Sequence, residues 1–428
     1  MVEIDCNAHA GLQFAAGSGG SQLLGVAVDN ASGSGVTLNA SSITLNDNYI
    51  GLDLTGSAFG NHGDGVYVSA TSSRNLIGLN SSGASGVVAN VISGNTGSGI
   101  VLSGSSGNTV VSNHIGTNTA GTSAIANGGD GISITGRSDR NEIGGTDFVD
   151  TATGQANNPT GSKGKVTPVF VVPPLGNLIS GNSQDGVLIS TGSRDNVLNG
   201  NFVGTTADRD AAIGNAGDGV WINGASNNSL VGCKFVNNPF VYYNVLSGNG
   251  GNGLRITSSN NTLVRGNFFG IGANNTATVS NRLDGIRVDG SSAKTQVGGV
   301  IPLGNVSAGN GLNGIEVTGT ASGTKLGGLR RLGNQKGGIS IGGMAYRNSI
   351  GNAKSKPSSL ISGNTGNGVT LGTGTRNNRV INNYIGLDRL GRYLRNTGRA
   401  VVNRGRDNTI RGNRHWPRNN GVLGAGAG

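Results

Sequence analysis

Five residues in the middle of this 428-residue chain would form a chemically capable set if the fold brought them to one face: Trp221, Arg255, Arg287, Asp289 and Glu316. An indole offers a platform for a sugar ring, guanidinium groups pair with carboxylates in a planar fork, and two carboxyl groups can serve as acid and base at a glycosidic bond. Trp221, Arg255, Arg287 and Glu316 follow one another at intervals of 34, 32 and 29 residues. A spacing that regular asks for an element that stacks.

The chain supplies one. Anchored on Gly-aliphatic-x-aliphatic, a repeat begins at Gly35, Gly65, Gly99, Gly131, Gly186, Gly219, Gly253, Gly285, Gly314, Gly338 and Gly368. Self-similarity at about 30 residues means stacked units that bury their apolar faces against neighbours. Within a unit the aliphatic residues alternate, as in GISI from Gly131, with the period of a strand. A second strand is led by Asn with an aliphatic residue two positions on: Asn108/Val110, Asn141/Ile143, Asn196/Leu198, Asn228/Leu230, Asn261/Leu263, Asn348/Ile350, Asn378/Val380 and Asn408/Ile410. A third precedes the next anchor, as in NVISGN from Asn90. Three short strands per unit predict an all-β, single-stranded parallel β-helix of about twelve turns, with stacked asparagines bonding one another along its axis. Glycine and asparagine are expected at corners that need left-handed backbone.

In that architecture residue x of each anchor strand points outward, giving the row Thr37, Tyr67, Val101, Ser133, Leu188, Trp221, Arg255, Arg287, Glu316, Ser340, Thr370. Two readings of its middle stand side by side. As a ligand site, Trp221, Arg255 and Arg287 bind an anionic polysaccharide, and Asp289, Glu316 and Arg287 are the catalytic candidates. The two carboxylates would lie roughly 8 Å apart, within the ~6.5–9.5 Å window of inverting hydrolases. As a charge ladder, Arg287 simply pairs with Glu316 on a solvated sheet.

Other candidates are weaker. Asp64, Asp130, Asp185, Asp218 and Asp284 each precede an anchor glycine and read as Asp-Gly turn residues, with Asn313 and Asn367 in the same slot. Asp208 and Asp210 form a D-x-D without the spacing of a calcium loop. His114 holds the slot of Tyr49, Phe202, Phe268 and Tyr384 and reads as a stacking residue, while His9, His62 and His415 are scattered. No metal site and no cofactor is predicted. Cys6 and Cys233 fall about six turns apart, near 30 Å, and are expected as free thiols.

The N-x-I-x-G-N and G-I-x-I repeats, over roughly residues 20–415, resemble those of the bacterial right-handed parallel β-helix repeat proteins. These share the pectate-lyase-like fold and include NosD-like and large cell-surface proteins. The resemblance implies a right-handed solenoid and a secreted or cell-surface location. It also implies a non-catalytic spacer or adhesin-like presenter of carbohydrate or a partner protein. The same group contains carbohydrate-active enzymes, so a hydrolase or lyase of acidic glycans is the alternative.

The chain reads as one domain, residues 1–418, with an inserted loop over 145–176, an arginine-rich end over 376–418 and a flexible tail over 419–428. Met1 reads as the start of a fragment of a longer protein, with no signal peptide ahead of it. The net charge of +10 is uneven, because residues 281–428 hold 21 Lys and Arg against 5 Asp and Glu. That end suits a solvated cap or docking to an anionic glycan. Nucleic acid is a poor fit, because few aromatics interleave with the arginines. No apolar run approaches the ~20 residues of a membrane span.

Overall fold

Alternation along each short strand decides which side chains enter the interior. In Val220–Asn223, Val220 and Ile222 are fully buried while Trp221 is half-buried on the outside. The same in–out pattern recurs in Ile100–Ser103, Ile132–Thr135 and Leu254–Thr257. In the computed structural model the described residues are 1–79, 90–145, 169–170, 176–224, 226–232, 240–241, 243–273, 277–299, 304–329, 331–352, 358–415 and 422–423.

The chain visits three faces in rotation, and the strands of each face pair parallel with their equivalents on neighbouring turns; on the first face the ladder stops at Arg331–Gly333, and a separate three-stranded sheet of Leu360–Ile361, Tyr384–Ile385 and Arg414–His415 follows it. The first sheet has 11 strands from Val2–Asp5 to Arg331–Gly333, and the second has 14 from Leu12–Phe14 to Val422–Leu423. The third has 13, from Gln22–Leu24 to Thr409–Arg411. This is a right-handed parallel β-helix, the hand that parallel crossovers take. It is longer than about twelve turns, because some turns lack the anchor signal: Leu12–Phe14 ends in an aromatic residue, and Ala400 stands in place of glycine ahead of Val401–Asn403. Val422–Leu423, within the stretch expected as a tail, pairs with Val401 and Val402. Among the described residues no helix is long and apolar enough to cross a membrane.

Two rows of asparagine run the length of the interior corners. One links Asn61, Asn95, Asn127, Asn182, Asn215, Asn249, Asn281, Asn310, Asn334, Asn364 and Asn396, each Nδ2 donating to the next Oδ1 at 2.7–3.3 Å. The other passes from Asn48 through Asn90, Asn113, Asn177, Asn201, Asn244 and Asn267 to Asn305. The amides also take up backbone groups that the bends release from the ladder, as when Asn249 Nδ2 donates to the Val203 carbonyl at 3.2 Å. This is why the anchors are glycine. A Cβ at Gly219 would lie 2.7 Å from Asn249 Nδ2 and 2.6 Å from the Gly253 carbonyl oxygen, so close approach, not a left-handed φ, selects the residue.

The third corner departs from the expected pattern. Its left-handed position, just before the third-sheet strand, is occupied by Arg74, Arg140, Asp195, Lys294, Arg347, Asn377 and Asp407, so charged residues take it more often than asparagine. Asn228 and Asn261 sit there too, at φ 60° and 58°. They are therefore one residue early to join the ladder, and Leu230 and Leu263 face outward while Val231 and Val264 fill the core. The ladder position itself holds Ser229, Thr262, Thr295 and Thr324 on four successive turns, all buried, with hydroxyls that lack a hydrogen-bond partner. On either side of this gap the ladder is asparagine, Asn75–Asn108–Asn141–Asn196 and Asn348–Asn378–Asn408.

Loops leave the rod at regular places. Isolated antiparallel bridges Leu52–Ala58, Thr117–Ala124, Thr205–Ala212, Ile271–Thr278 and Leu387–Tyr393 close small hairpins after the first-sheet strands. Outside the first sheet, Leu178, Phe202, Tyr243, Val245, Phe268, Ile271, Val306 and Ala308 form an apolar cluster of their own. Most of the 145–176 insertion lies outside the described residues; its Val169–Phe170 pairs parallel with Phe240–Val241.

Candidate functional site

The register stacks the expected row: Leu188, Trp221, Arg255, Arg287, Glu316, Ser340 and Thr370 are direct partners on consecutive turns of the second sheet. Thr257 lies two residues beyond Arg255 and pairs with Asp289. All five candidate residues, Trp221, Arg255, Arg287, Asp289 and Glu316, therefore share one outer face.

Their side chains are spent on one another. Trp221 Nε1 donates to Thr257 Oγ1 at 3.0 Å, and Thr257 donates to Asp289 Oδ1 at 2.5 Å. Asp289 Oδ2 accepts from Arg255 Nε at 3.2 Å and from Arg287 Nε at 2.9 Å. Arg287 then reaches Glu316 Oε2 at 2.5 Å, and Arg255 lies over the Trp221 ring 5.0 Å from its centroid. A guanidinium thus bridges Asp289 and Glu316, in the place where an inverting mechanism would hold a sugar and a water. Arg287 retains 31% and Glu316 21% of their side-chain exposure, whereas Asp289 retains 9%. Burial pushes the Asp289 carboxyl up, but the Thr257 hydroxyl and the two arginines more than offset this and hold it below the usual carboxylate range.

The aspartates read from the sequence as turn residues hold their protons more tightly than an ordinary carboxyl. Each accepts a backbone N–H from the following turn: Asp64 from Ser98 at 2.8 Å, Asp130 from Asp185 at 3.1 Å, Asp185 from Asp218 at 2.6 Å and Asp284 from Asn313 at 2.8 Å. Asp218 accepts from both N–H groups of Asn252, at 2.6 and 2.7 Å, and Asn252 accepts from Asp284 in turn. The slot is a polar ladder at one corner, not a set of isolated turns. Burial pushes Asp130 up to about 6 and Asp185 up to about 7, the latter also through its neighbours Asp218 and Asp130. Burial and then Glu316 push Asp284 up to about 6, against the pull of Asn313 and Arg287. Asp284 is fully buried, with Oδ2 3.8 Å from Arg287 Nη1. The signal in the sequence was the recurrence of Asp in one repeat slot. What the slot lacks in sequence terms is any sign that its carboxylates are buried.

Among the described residues no three His, Cys, Asp or Glu side chains converge as a metal-binding group. His114 pairs with Val91 and Leu178 on the first sheet, and burial holds its imidazole below the usual range. Cys6 is a free thiol, and Cys233 lies outside the described residues. At the arginine-rich end, among the described residues after residue 317, Arg392 forms an ion pair with Asp388 at 2.6 Å.

No family profile matches the chain, and no curated protein matches it. Among solved structures it is similar to the periplasmic alginate epimerase AlgG at 11% identity and a TM-score of 0.39, over 93% of this chain and 76% of that one. It is similar to the A-module of the Azotobacter vinelandii mannuronan C-5 epimerase AlgE4 at 13% identity and a TM-score of 0.34, over 97% of this chain and 88% of that one. A third is an alginate lyase from Paenibacillus sp. str. FPU-7, at 13% identity and 0.23, over 97% and 98%. Likenesses this loose assign no residue of this chain a role, and the parallel β-helix stands on the chain's own strand register.

Proposed function

We propose that the protein is a non-catalytic carbohydrate-binding β-helix, a stiff secreted or cell-surface module that presents the Trp221–Glu316 strip to a glycan. The observation that carries this reading is the closed network on that face: both arginines and both carboxylates are already paired with one another. A strip of two cations and two anions has no surplus charge to offer a uronate. It does offer an indole edge, fixed by Thr257, beside a lattice of polar groups of the kind that hydrogen-bonds sugar hydroxyls, so a neutral glycan suits it better than an acidic one.

Catalysis would need an exposed acid and base with acidities pushed apart. On this strip Asp289 is held low, and the neighbouring Asp185, Asp218 and Asp284, which are pushed up, belong to the buried corner ladder and are bonded to backbone amides. The test is a glycan-array screen run beside reducing-sugar and unsaturated-uronate release assays, comparing the native chain with Trp221→Ala and with Glu316→Gln, Asp289→Asn. Retention of neutral oligosaccharides that Trp221→Ala abolishes, with no product released, is the expected result. Product release that disappears in the Glu316→Gln, Asp289→Asn variant would instead establish a polysaccharide hydrolase or lyase using Arg287, Asp289 and Glu316.

A further inference from the structure

Charge on the last turns is distributed in a way the fold does not require. Residues 318–428 contain 18 Lys and Arg but only two acids, Asp388 and Asp407. At the corner between the second and third sheets, Tyr346, Arg376 and Arg406 pair as isolated parallel bridges on consecutive turns. Arg376 therefore stands directly beside Arg406, about 4.8 Å away along the axis. A second file runs alongside on the third sheet, where Lys325, Ser349, Arg379 and Thr409 are direct partners and Arg411 pairs with Ile381. Lys325, Arg347, Arg379, Arg406 and Arg411 are exposed, and none of them has a salt bridge among the described residues. The one acid beside the files is Asp407.

Like charges directly opposite one another on neighbouring strands destabilise a sheet. The middle turns also stack two arginines, Arg255 on Arg287, but supply Asp289 and Glu316 to pair with them. Among the described residues the last turns supply no such partner to Arg376 or Arg406. Their single nearby ring is also committed, since Arg376 lies 5.0 Å and Arg347 5.9 Å from the centroid of Tyr346. A ring covered by guanidinium groups is not free to stack a nucleobase, which is how single-stranded nucleic acid is held.

We propose that this double file is a docking surface for a linear acidic polysaccharide, laid along the axis with about one anionic group meeting each turn. The guanidinium groups at Arg347, Arg376 and Arg406, with Lys325, Arg379 and Arg411 beside them, supply planar donors for carboxylate or sulfate. The site is separate from the Trp221 strip and does not depend on it.

The test measures binding of the full chain to polygalacturonate over a salt series, with fully methyl-esterified polygalacturonate and duplex DNA as comparison probes. The variants are Arg376→Gln, Arg406→Gln and, as an independent pair on the flanking positions, Arg347→Gln, Arg379→Gln. Arg392→Gln removes an arginine already paired with Asp388 and serves as the reference for charge lost outside the two files. The expected result is salt-sensitive binding to polygalacturonate, at least about tenfold weaker in each pair of variants and nearly unchanged in Arg392→Gln, with a shallower salt dependence as cationic contacts are removed. Equal retention of the methyl ester, losses no greater than in Arg392→Gln, or DNA bound as tightly with the same losses would each overturn the proposal.

Discussion

The four middle turns and the last turns of this rod solve opposite problems. In the middle, the outer face is electrostatically closed, with Arg255 and Arg287 paired to Asp289 and Glu316. Beneath the same four turns the third-corner ladder changes from asparagine to Ser229, Thr262, Thr295 and Thr324, whose hydroxyls bond nothing. In the last turns the outer face is open, with Arg376 stacked beside Arg406, while the corner beneath is again asparagine from Asn348 through Asn378 to Asn408. The difference teaches that cohesion in a solenoid is supplied from inside and from outside independently, turn by turn. At the third corner, the amide row is complete where the surface stacks unpaired arginines and interrupted where the surface pairs its charges.

The largest effect expected is on the interior. Asn249→Ala removes an acceptor for Asn215 and donors to Asn281 and Val203, leaving buried groups unpaired at about 1 kcal/mol or more each, so a loss of about 2–4 kcal/mol is expected. Urea titration of the variant against the native chain measures it. The reverse change in the interrupted stretch, Ser229→Asn with Thr262→Asn, Thr295→Asn and Thr324→Asn, should raise the melting temperature by restoring the amide row. A melting temperature that falls would show that the hydroxyl run is packed for a shape that amides do not fit.

Breaking the outer network comes next. Arg287→Gln leaves Asp289, Glu316 and the buried Asp284 without a shared cation, and about 1–3 kcal/mol of stability should go with it. Adding Glu316→Gln should return part of that loss. An additive double variant in thermal melts would mean the Arg287–Glu316 bond contributes nothing beyond its geometry.

The smallest effect expected concerns pH. The folded Asp185 carboxyl lies at about 7, above the ~3.9 of an unfolded aspartate. The native state therefore binds the proton more tightly, and the stability this provides is full below about pH 4 and is lost as the pH rises through about 7. Asp130 and Asp284, at about 6, act in the same direction. Asp185→Asn keeps an acceptor for the Asp218 N–H, as Asn252 does for Asp284, so it should melt about 1–2 °C higher at pH 7 and the same as the native chain at pH 4. Equal melting temperatures at pH 7 would show that the Asp185 carboxylate is already solvated there.

The fold was legible because a solenoid writes its geometry once per turn. Gly219, Gly253 and Gly285 announced the turns, and the alternation in Val220–Asn223 announced the strands. The register that places Arg255 beneath Trp221 and Glu316 beneath Arg287 followed from the repeat alone, since parallel in-register stacking leaves no other partner. Corner chemistry was harder to read. Asn228 and Asn261 looked like ladder residues, but only the backbone shows that they take the left-handed position and yield the ladder to Ser229 and Thr262.

What the sequence determined by itself is the period, the strand positions and which residues share a face, because those depend on local alternation and on one repeated length. What only the tertiary structure decided is how the shared face is used. The same five side chains could have opened toward a ligand or closed on one another, and that choice rests on rotamers and on Thr257 linking Trp221 to Asp289. Likewise, an aspartate before a glycine is an ordinary turn residue until stacking buries it between Asp130 and Asp218 and shifts its proton affinity. Desolvation and pairing are properties of neighbours in space, and the one-dimensional repeat carries no record of them.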